Sequence, residues 1–184
     1  MEAHLASGQI NLVQDVQIHL DWLNKQIKEL ERKINDHIDR HPDLKCDAEL
    51  LRSIPGIGAT TVAKVLAYAG DVRRFTNAKA LAAFIGVTPR QRISVSSVKG
   101  RTMMSRTGHN ALRHALYMTG LVARHHNPVL KTFSDRLSTT GLAPKAIVGA
   151  VMRKLAHLIY GVIKSGQPFD ANFNHLALVI QDGI

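Results

Sequence analysis

From Val13 the apolar positions fall at Val13, Val16, Leu20, Leu23, Ile27, Leu30 and Ile34, alternating three and four residues apart. That spacing keeps one stripe turned toward a single partner along the helix, so it predicts the seam of a coiled coil. Lys25, Lys28, Glu29, Glu31, Arg32 and Lys33 fill the intervening positions as a solvated face with pairing at helical spacing. The seam is long enough to pair with a copy of itself or with another part of the protein; a single amphipathic helix lying on its own domain gives the same pattern. His41-Pro42-Asp43 ends the helix, because proline disfavours helical geometry in the residue before it.

A new unit opens at LLRSIPGIGATTVAKVLAYAG, residues 50–70. A helix ending near Arg52, a tight Pro55-Gly56-Ile57-Gly58 turn and a second helix from about Ala59 to Tyr68 predict a helix-hairpin-helix. The glycines suit a turn that needs positive φ or close backbone approach. Amides at the start of the second helix would hold a DNA phosphate, with Gly56 and Gly58 as binding residues; a purely structural hairpin is the competing reading. TNAKALAAFIGVTP follows, with Thr76 as N-cap and Gly86 and Pro89 as stop signals. Asn110 to His126 sets an apolar face (Ala111, Leu112, Ala115, Leu116) against Arg113, His114, Arg124 and His125, with Arg113 expected among the phosphate-binding residues. Pro128 starts a helix to about Ser138, and a last long helix runs from about Pro144 to Lys164. Alternation over Gln91 to Val98 leaves room for one short β-ribbon around the serine loop. The pattern predicts a mainly α fold: a coiled-coil helix over 1–45, a helical domain over 46–166 and a tail over 167–184 that would serve as a docking arm.

Charge sharpens the picture. The chain carries 24 Lys and Arg against 14 Asp and Glu, a net charge of +10. Residues 1–50 are net −4, 51–85 net +4, 86–165 net +12 and 166–184 net −2, with Asp135 the one acid in the third stretch. A surface so uncompensated seeks a polyanion, which points to nucleic acid. Cys46 is the one cysteine, so neither an internal disulfide nor a cysteine-based metal cluster forms within one chain. No apolar run is read as long enough to span a bilayer, and the N-terminus lacks the order of a signal peptide. The expectation is a soluble, cytoplasmic protein with no membrane partner, associated with the nucleoid when bound to DNA.

The most chemically suggestive stretch is RISVSSVKGRTMMSRTGHN, residues 92–110. Ser94, Ser96 and Ser97 are surrounded by Arg92, Lys99, Arg101 and Arg106, with no acid between. A serine that attacks a phosphodiester needs an exposed Oγ, cations on the non-bridging oxygens and a group that moves the proton. The loop supplies the first two. His109 and His114 are the nearby titrating groups, more at home contacting phosphate or filling a pocket than in catalysis. No paired carboxylates stand ready for two metal ions. From the residues alone the loop reads as phosphate-binding, with a serine nucleophile as the sharper alternative.

Three stretches, LLRSIPGIGATTVAKVLAYAG, RRFTNAKALAAFIGVTPRQRISVSSVKGRTMMSRTGHNALRHALYMTGLVA and KAIVGAVMRKLAHLIYGVIKSGQPFD, closely resemble the C-terminal half of bacterial insertion-sequence transposases of the insertion-sequence one-ten, Piv-invertase-like class. The resemblance runs from about residue 16 to Asp170. It implies a DNA recombinase that joins an N-terminal RuvC-like acidic domain, which binds Mg²⁺, to a coiled coil and a C-terminal transposase domain. It also implies a structured guide RNA and assembly as dimers of dimers. The family nucleophile is the serine of a pattern like S-G-S-S-V-x-G, matched here by Ser94-Val95-Ser96-Ser97-Val98-Lys99-Gly100. The resemblance therefore places the nucleophile on Ser94, with Ser96 and Ser97 as supporting donors.

Val95 stands where the family has glycine, and a β-branched side chain there restricts φ and crowds a backbone meant to approach phosphate. The RuvC-like half is not among these residues, so the expectation is that they do not transpose alone; no cofactor is expected in this chain. Two other functions fit the residues: a non-enzymatic nucleic-acid-binding and dimerisation module or truncated regulator, and a helix-hairpin-helix adaptor whose coiled coil recruits a protein.

Overall fold

The computed structural model describes residues 2–90, 103–105 and 107–172. The chain is mainly α and divides into two units, Met1–Lys45 and Cys46–Ile184.

The first unit is built on α1 (Glu2–Arg40). Along it Lys33 pairs with Glu29 at 2.8 Å and Arg32 with Asp36 at 2.9 Å, both exposed contacts one helical turn apart. At its end the His41 ring donates from Nδ1 to the His37 carbonyl, 2.8 Å away, satisfying one of the acceptors that a helix terminus leaves unpaired. All seven seam residues are exposed, from Leu23 at 38% to Val13 at 67%.

α2 (Pro42–Arg52) leads into the second unit, which continues with α3 (Ala59–Ala69), a single 3₁₀ turn (Val72–Arg74), α4 (Ala78–Ile85), β1 (Pro89–Arg90), β2 (Met103–Met104), α5 (Asn110–His126), α6 (Pro128–Thr139) and α7 (Pro144–Ser165). Its core forms around α7, which packs on α4, α5 and α6. Val151, Leu155 and Ile159 from α7, with Leu81 of α4, Leu112 and Leu116 of α5 and Leu130 of α6, are fully buried in this core. Gly120 lets α5 approach α7, since a Cβ there would stand 3.3 Å from Met152 Cγ.

The helix ends follow from local chemistry, with one correction. The N-cap of α4 is Asn77, whose side chain accepts from the Ala80 amide at 2.9 Å, rather than the neighbouring Thr76. Either residue type can cap, and one-residue choices depend on where the chain enters the helix. Asn127 is buried and its Oδ1 accepts from both Val129 and Leu130 amides at 3.1 Å, with Pro128 in the first turn of α6.

Two further expectations are revised. α7 is long and apolar enough to cross a membrane by length and composition, with mean hydropathy 1.5 over its most apolar window, contrary to the sequence reading; here its apolar side is packed in the core. The expected ribbon over Gln91–Val98 lies outside the described residues, and the short ladder that is described sits on its flanks: β1 pairs antiparallel with β2, Pro89 opposite Met104 and Arg90 opposite Met103. After α7 the chain turns back, and the Phe169 amide donates to Ser53 Oγ at 2.8 Å, tying the start of the tail to the end of α2.

Candidate nucleic-acid interface

The hairpin between α2 and α3 is first a packing element. Ile54 and Ile57 are buried on either side of the turn, and the Ile57 amide donates to the Ile54 carbonyl at 3.1 Å. Gly56 has φ of +99° and presses on α5: a Cβ there would lie 2.6 Å from Ala123 Cβ and 2.7 Å from its Cα. Its missing side chain is thus accounted for by close helix approach. Gly58 differs. It is the N-cap of α3 in extended conformation, exposed, with nothing within 4 Å of a Cβ built on it. Ala59 and Thr60 beside it are exposed too, leaving the start of α3 open to an anion.

α3 is locked to α5 by a buried hydroxyl pair, Thr61 Oγ1 to Thr119 Oγ1 at 2.7 Å. Thr119 donates to the Ala115 carbonyl at 2.9 Å, so its single proton is committed and Thr61 is the donor in the pair.

Ser94, Ser96, Ser97, Arg92, Lys99, Arg101 and Arg106 all lie outside the described residues. What is described is the clasp formed by the residues that flank them in sequence. The Ser105 amide donates to the Thr88 carbonyl at 2.7 Å, next to the β1–β2 ladder. Just beyond, Gly86 and Gly108 bring backbone against backbone: a Cβ on Gly108 would fall 2.5 Å from Gly86 N and 2.7 Å from the Phe84 carbonyl oxygen. The His109 amide donates to that same oxygen at 2.8 Å. Met104 is seated on α7, its Cε 2.7 Å from where Gly149 would carry a Cβ. The described residues on either side of the serine segment are therefore tied to one another, forming a narrow base.

Around that base stand groups suited to a phosphate ester. Arg113 projects from the first turn of α5, with Nη2 2.6 Å from Asn110 Oδ1 and Nη1 2.8 Å from the position a Gly86 Cβ would take. His109 caps α5, its Nδ1 accepting from the Leu112 amide at 3.4 Å, so the neutral ring carries its proton on Nε2. The ring stands 4.5 Å from Tyr68 and 6.0 Å from Phe84, centroid to centroid. Phe84 and Phe75 continue the row, and the Arg74 guanidinium lies 5.4 Å from the Phe84 ring centroid and 4.8 Å from that of Phe75. Of the predicted residues described, Arg113 is at this base, while Gly56 and Gly58 belong to the hairpin that α5 braces. Sequence reasoning missed Tyr68, Phe84, Arg74 and Gly108. A glycine two residues after the last arginine of the loop was the one visible signal.

The described residues do not form a magnesium site. Asp47 is bound in a bidentate pair by Arg73, at 2.7 and 2.9 Å, and Asp71 also contacts Arg73. Among the described residues no three His, Cys, Asp or Glu side chains gather to hold a metal ion.

A profile described as Transposase IS116/IS110/IS902 family matches residues 48–135, which include the hairpin, the clasp, the serines and α5. Residues 48–135 belong to this transposase family. The pilin gene-inverting protein of Moraxella lacunata is 35% identical over 145 residues, 78% of this chain and 45% of that protein. An insertion element IS110 protein of Streptomyces coelicolor is 25% identical over 152 residues, 83% of this chain and 36% of that one. A probable family 20 transposase of Pseudomonas aeruginosa is 27% identical over 150 residues, covering 80% and 40%. The chain spans less than half the length of these relatives. Within the transposase-family stretch, the serine string 94–100 and the glycine pair 86 and 108 are close neighbours in sequence.

Proposed function

We propose that this chain is the DNA-handling and nucleophile-bearing part of a recombinase that moves or inverts DNA, with Ser94 forming a phosphoserine link to a DNA strand. Ser94 Oγ bonds to phosphorus, the bond from phosphorus to one sugar oxygen breaks, and that oxygen leaves as a hydroxyl. The seryl proton passes to a base outside the described residues, and the conjugate acid of that group protonates the departing sugar oxygen. Arg92, Lys99, Arg101 and Arg106 would neutralise the non-bridging oxygens, with Arg113 at the foot of the loop and Ser96 and Ser97 as further donors. The open start of α3 at Gly58 would hold a neighbouring phosphate.

The observation that carries this reading is the family match across the serine string together with the tied residues that flank it. The relatives' names, a pilin gene-inverting protein and insertion-element proteins, agree in pointing to DNA rearrangement. The exposed seam of α1 supports assembly through a second copy of the chain. A RuvC-like half, when joined, would supply Mg²⁺; a guide RNA and a bacterial cytoplasmic location complete the reading.

The test is a covalent-adduct assay on labelled element-junction DNA, with the chain joined to a matching RuvC-like half, guide RNA and Mg²⁺. A band that survives SDS with the native chain and disappears with Ser94→Ala supports the reading. No adduct with the native chain or with Val95→Gly would leave a non-enzymatic binding module in its place.

A further inference from the structure

The packed helices α4, α6 and α7 carry a second concentration of positive charge. On α6 the Phe133 ring is shared by two cations, Arg136 at 5.7 Å and Lys154 of α7 at 5.6 Å from its centroid. Lys154 is half-buried, and both that burial and the nearby Arg136 charge push its pKa down. One turn along α7 lies His157, also half-buried, with Nε2 sealed from solvent and bonded to nothing in the described structure. Burial first, and then the charges of Arg153, Lys154 and Lys79, push its pKa down to about 4.

Every charged neighbour acting on these two groups is a cation. Among the described residues neither Arg136, Arg153 nor Lys154 forms an ion pair. Three like charges held together by a folded scaffold, with Lys154 partly desolvated, repel one another unless an anion comes between them. Direction is also fixed. Gly149, where Met104 of the clasp is seated, is one turn before Arg153 on α7, and His157 and Tyr160 follow at helical spacing. Tyr160 closes the stripe by donating to the Thr76 carbonyl at 3.2 Å. From Gly149 to Tyr160 the helix rises about 16 Å, the length of roughly five base-pair steps.

We infer that the α4–α6–α7 face, through Arg136, Arg153 and Lys154, is a second binding track for a nucleic-acid phosphodiester backbone, leading along α7 away from the Met104 contact at Gly149. It rests on the reading that the chain handles nucleic acid. The track contacts backbone and not bases, so it takes any sequence.

The test measures binding of the full chain to a random-sequence DNA duplex and to a structured RNA hairpin as a function of salt. The variant Arg136→Gln, Arg153→Gln, Lys154→Gln is compared with Lys131→Gln, Lys145→Gln, Lys164→Gln, which loses the same charge at exposed positions. The slope of log affinity on log salt is expected to fall by about 2.7 with the first variant on duplex DNA, three contacts at about 0.9 each, and by much less with the second. The arm that shows the loss, DNA or RNA, identifies the source of the backbone. In the native chain the His157 ring proton resonance is expected to shift on binding, a readout that a general loss of charge does not produce. Equal slopes in the two variants, or an unmoved His157 resonance, overturn the track while leaving the Ser94 adduct untouched. If the native chain binds neither probe, both readings fall together.

Discussion

Gly56 and Ala123 stand closer than any pair with side chains could: a Cβ on Gly56 would lie 2.6 Å from that of Ala123. The hairpin glycines, alike in sequence, thus separate into one that packs and one that faces outward. Gly56→Ala combines a left-handed φ with overpacking against α5, and is expected to destabilise the fold by about 2–4 kcal/mol. Gly58→Ala meets open space at φ of −93° and should cost less than about 1 kcal/mol. Denaturant melts of both variants check this; equal losses would contradict the division of roles.

The glycine pair at the clasp behaves in the same way. Gly108→Ala would drive a methyl into the Gly86 backbone and the Phe84 carbonyl. Backbone cannot step aside as a flexible side chain can, so a loss of at least about 2 kcal/mol is expected. Gly149→Ala, which meets only the tip of Met104, is expected to cost less. Thermal melts rank the two.

The hydroxyl pair between α3 and α5 is directional, and its two deletions are unequal. Thr61→Val removes the donor and leaves Thr119 still bonded to Ala115, a loss of about 1 kcal/mol. Thr119→Val leaves the buried Thr61 hydroxyl without its acceptor and should cost about 1–3 kcal/mol. A double-mutant cycle measures the coupling.

Stability should fall in mild acid because of His157. Its folded pKa of about 4 lies below the ordinary value of 6.5, so the unfolded chain takes up the proton first as pH drops. Above pH 6.5 both states are neutral and the residue adds no pH dependence; between 6.5 and about 4 the native state loses ground. Discounted for the part of the ring open to water, the loss is on the order of 1–2 kcal/mol by pH 4. His157→Gln should flatten that segment of the stability profile, measured by denaturant midpoints from pH 4 to 7.

The helices were legible because each carries its own signals. Pro128 and Pro144 mark starts, Gly86 and Gly166 mark ends, and the apolar stripe of α7 repeats at helical spacing over 22 residues. That stripe also makes α7 apolar enough for a bilayer, and only packing against α4, α5 and α6 shows where its apolar side goes. The site was legible in part. Serines ringed by arginines announce phosphate chemistry, yet the Gly86–Gly108 contact and the row from Tyr68 through His109 to Phe84 join residues far apart in the chain. Such meetings leave no periodic trace. The same holds for Gly56, whose neighbour Ala123 lies in α5, far along the chain from the turn itself.

The central claim is that Ser94 takes up the DNA strand. It is tested most directly by trapping the adduct in the joined protein, digesting the DNA and locating the nucleotide remnant by peptide mass spectrometry. The account predicts the added mass on Ser94 alone; a remnant on Ser96, Ser97 or a residue outside 92–110 would contradict it.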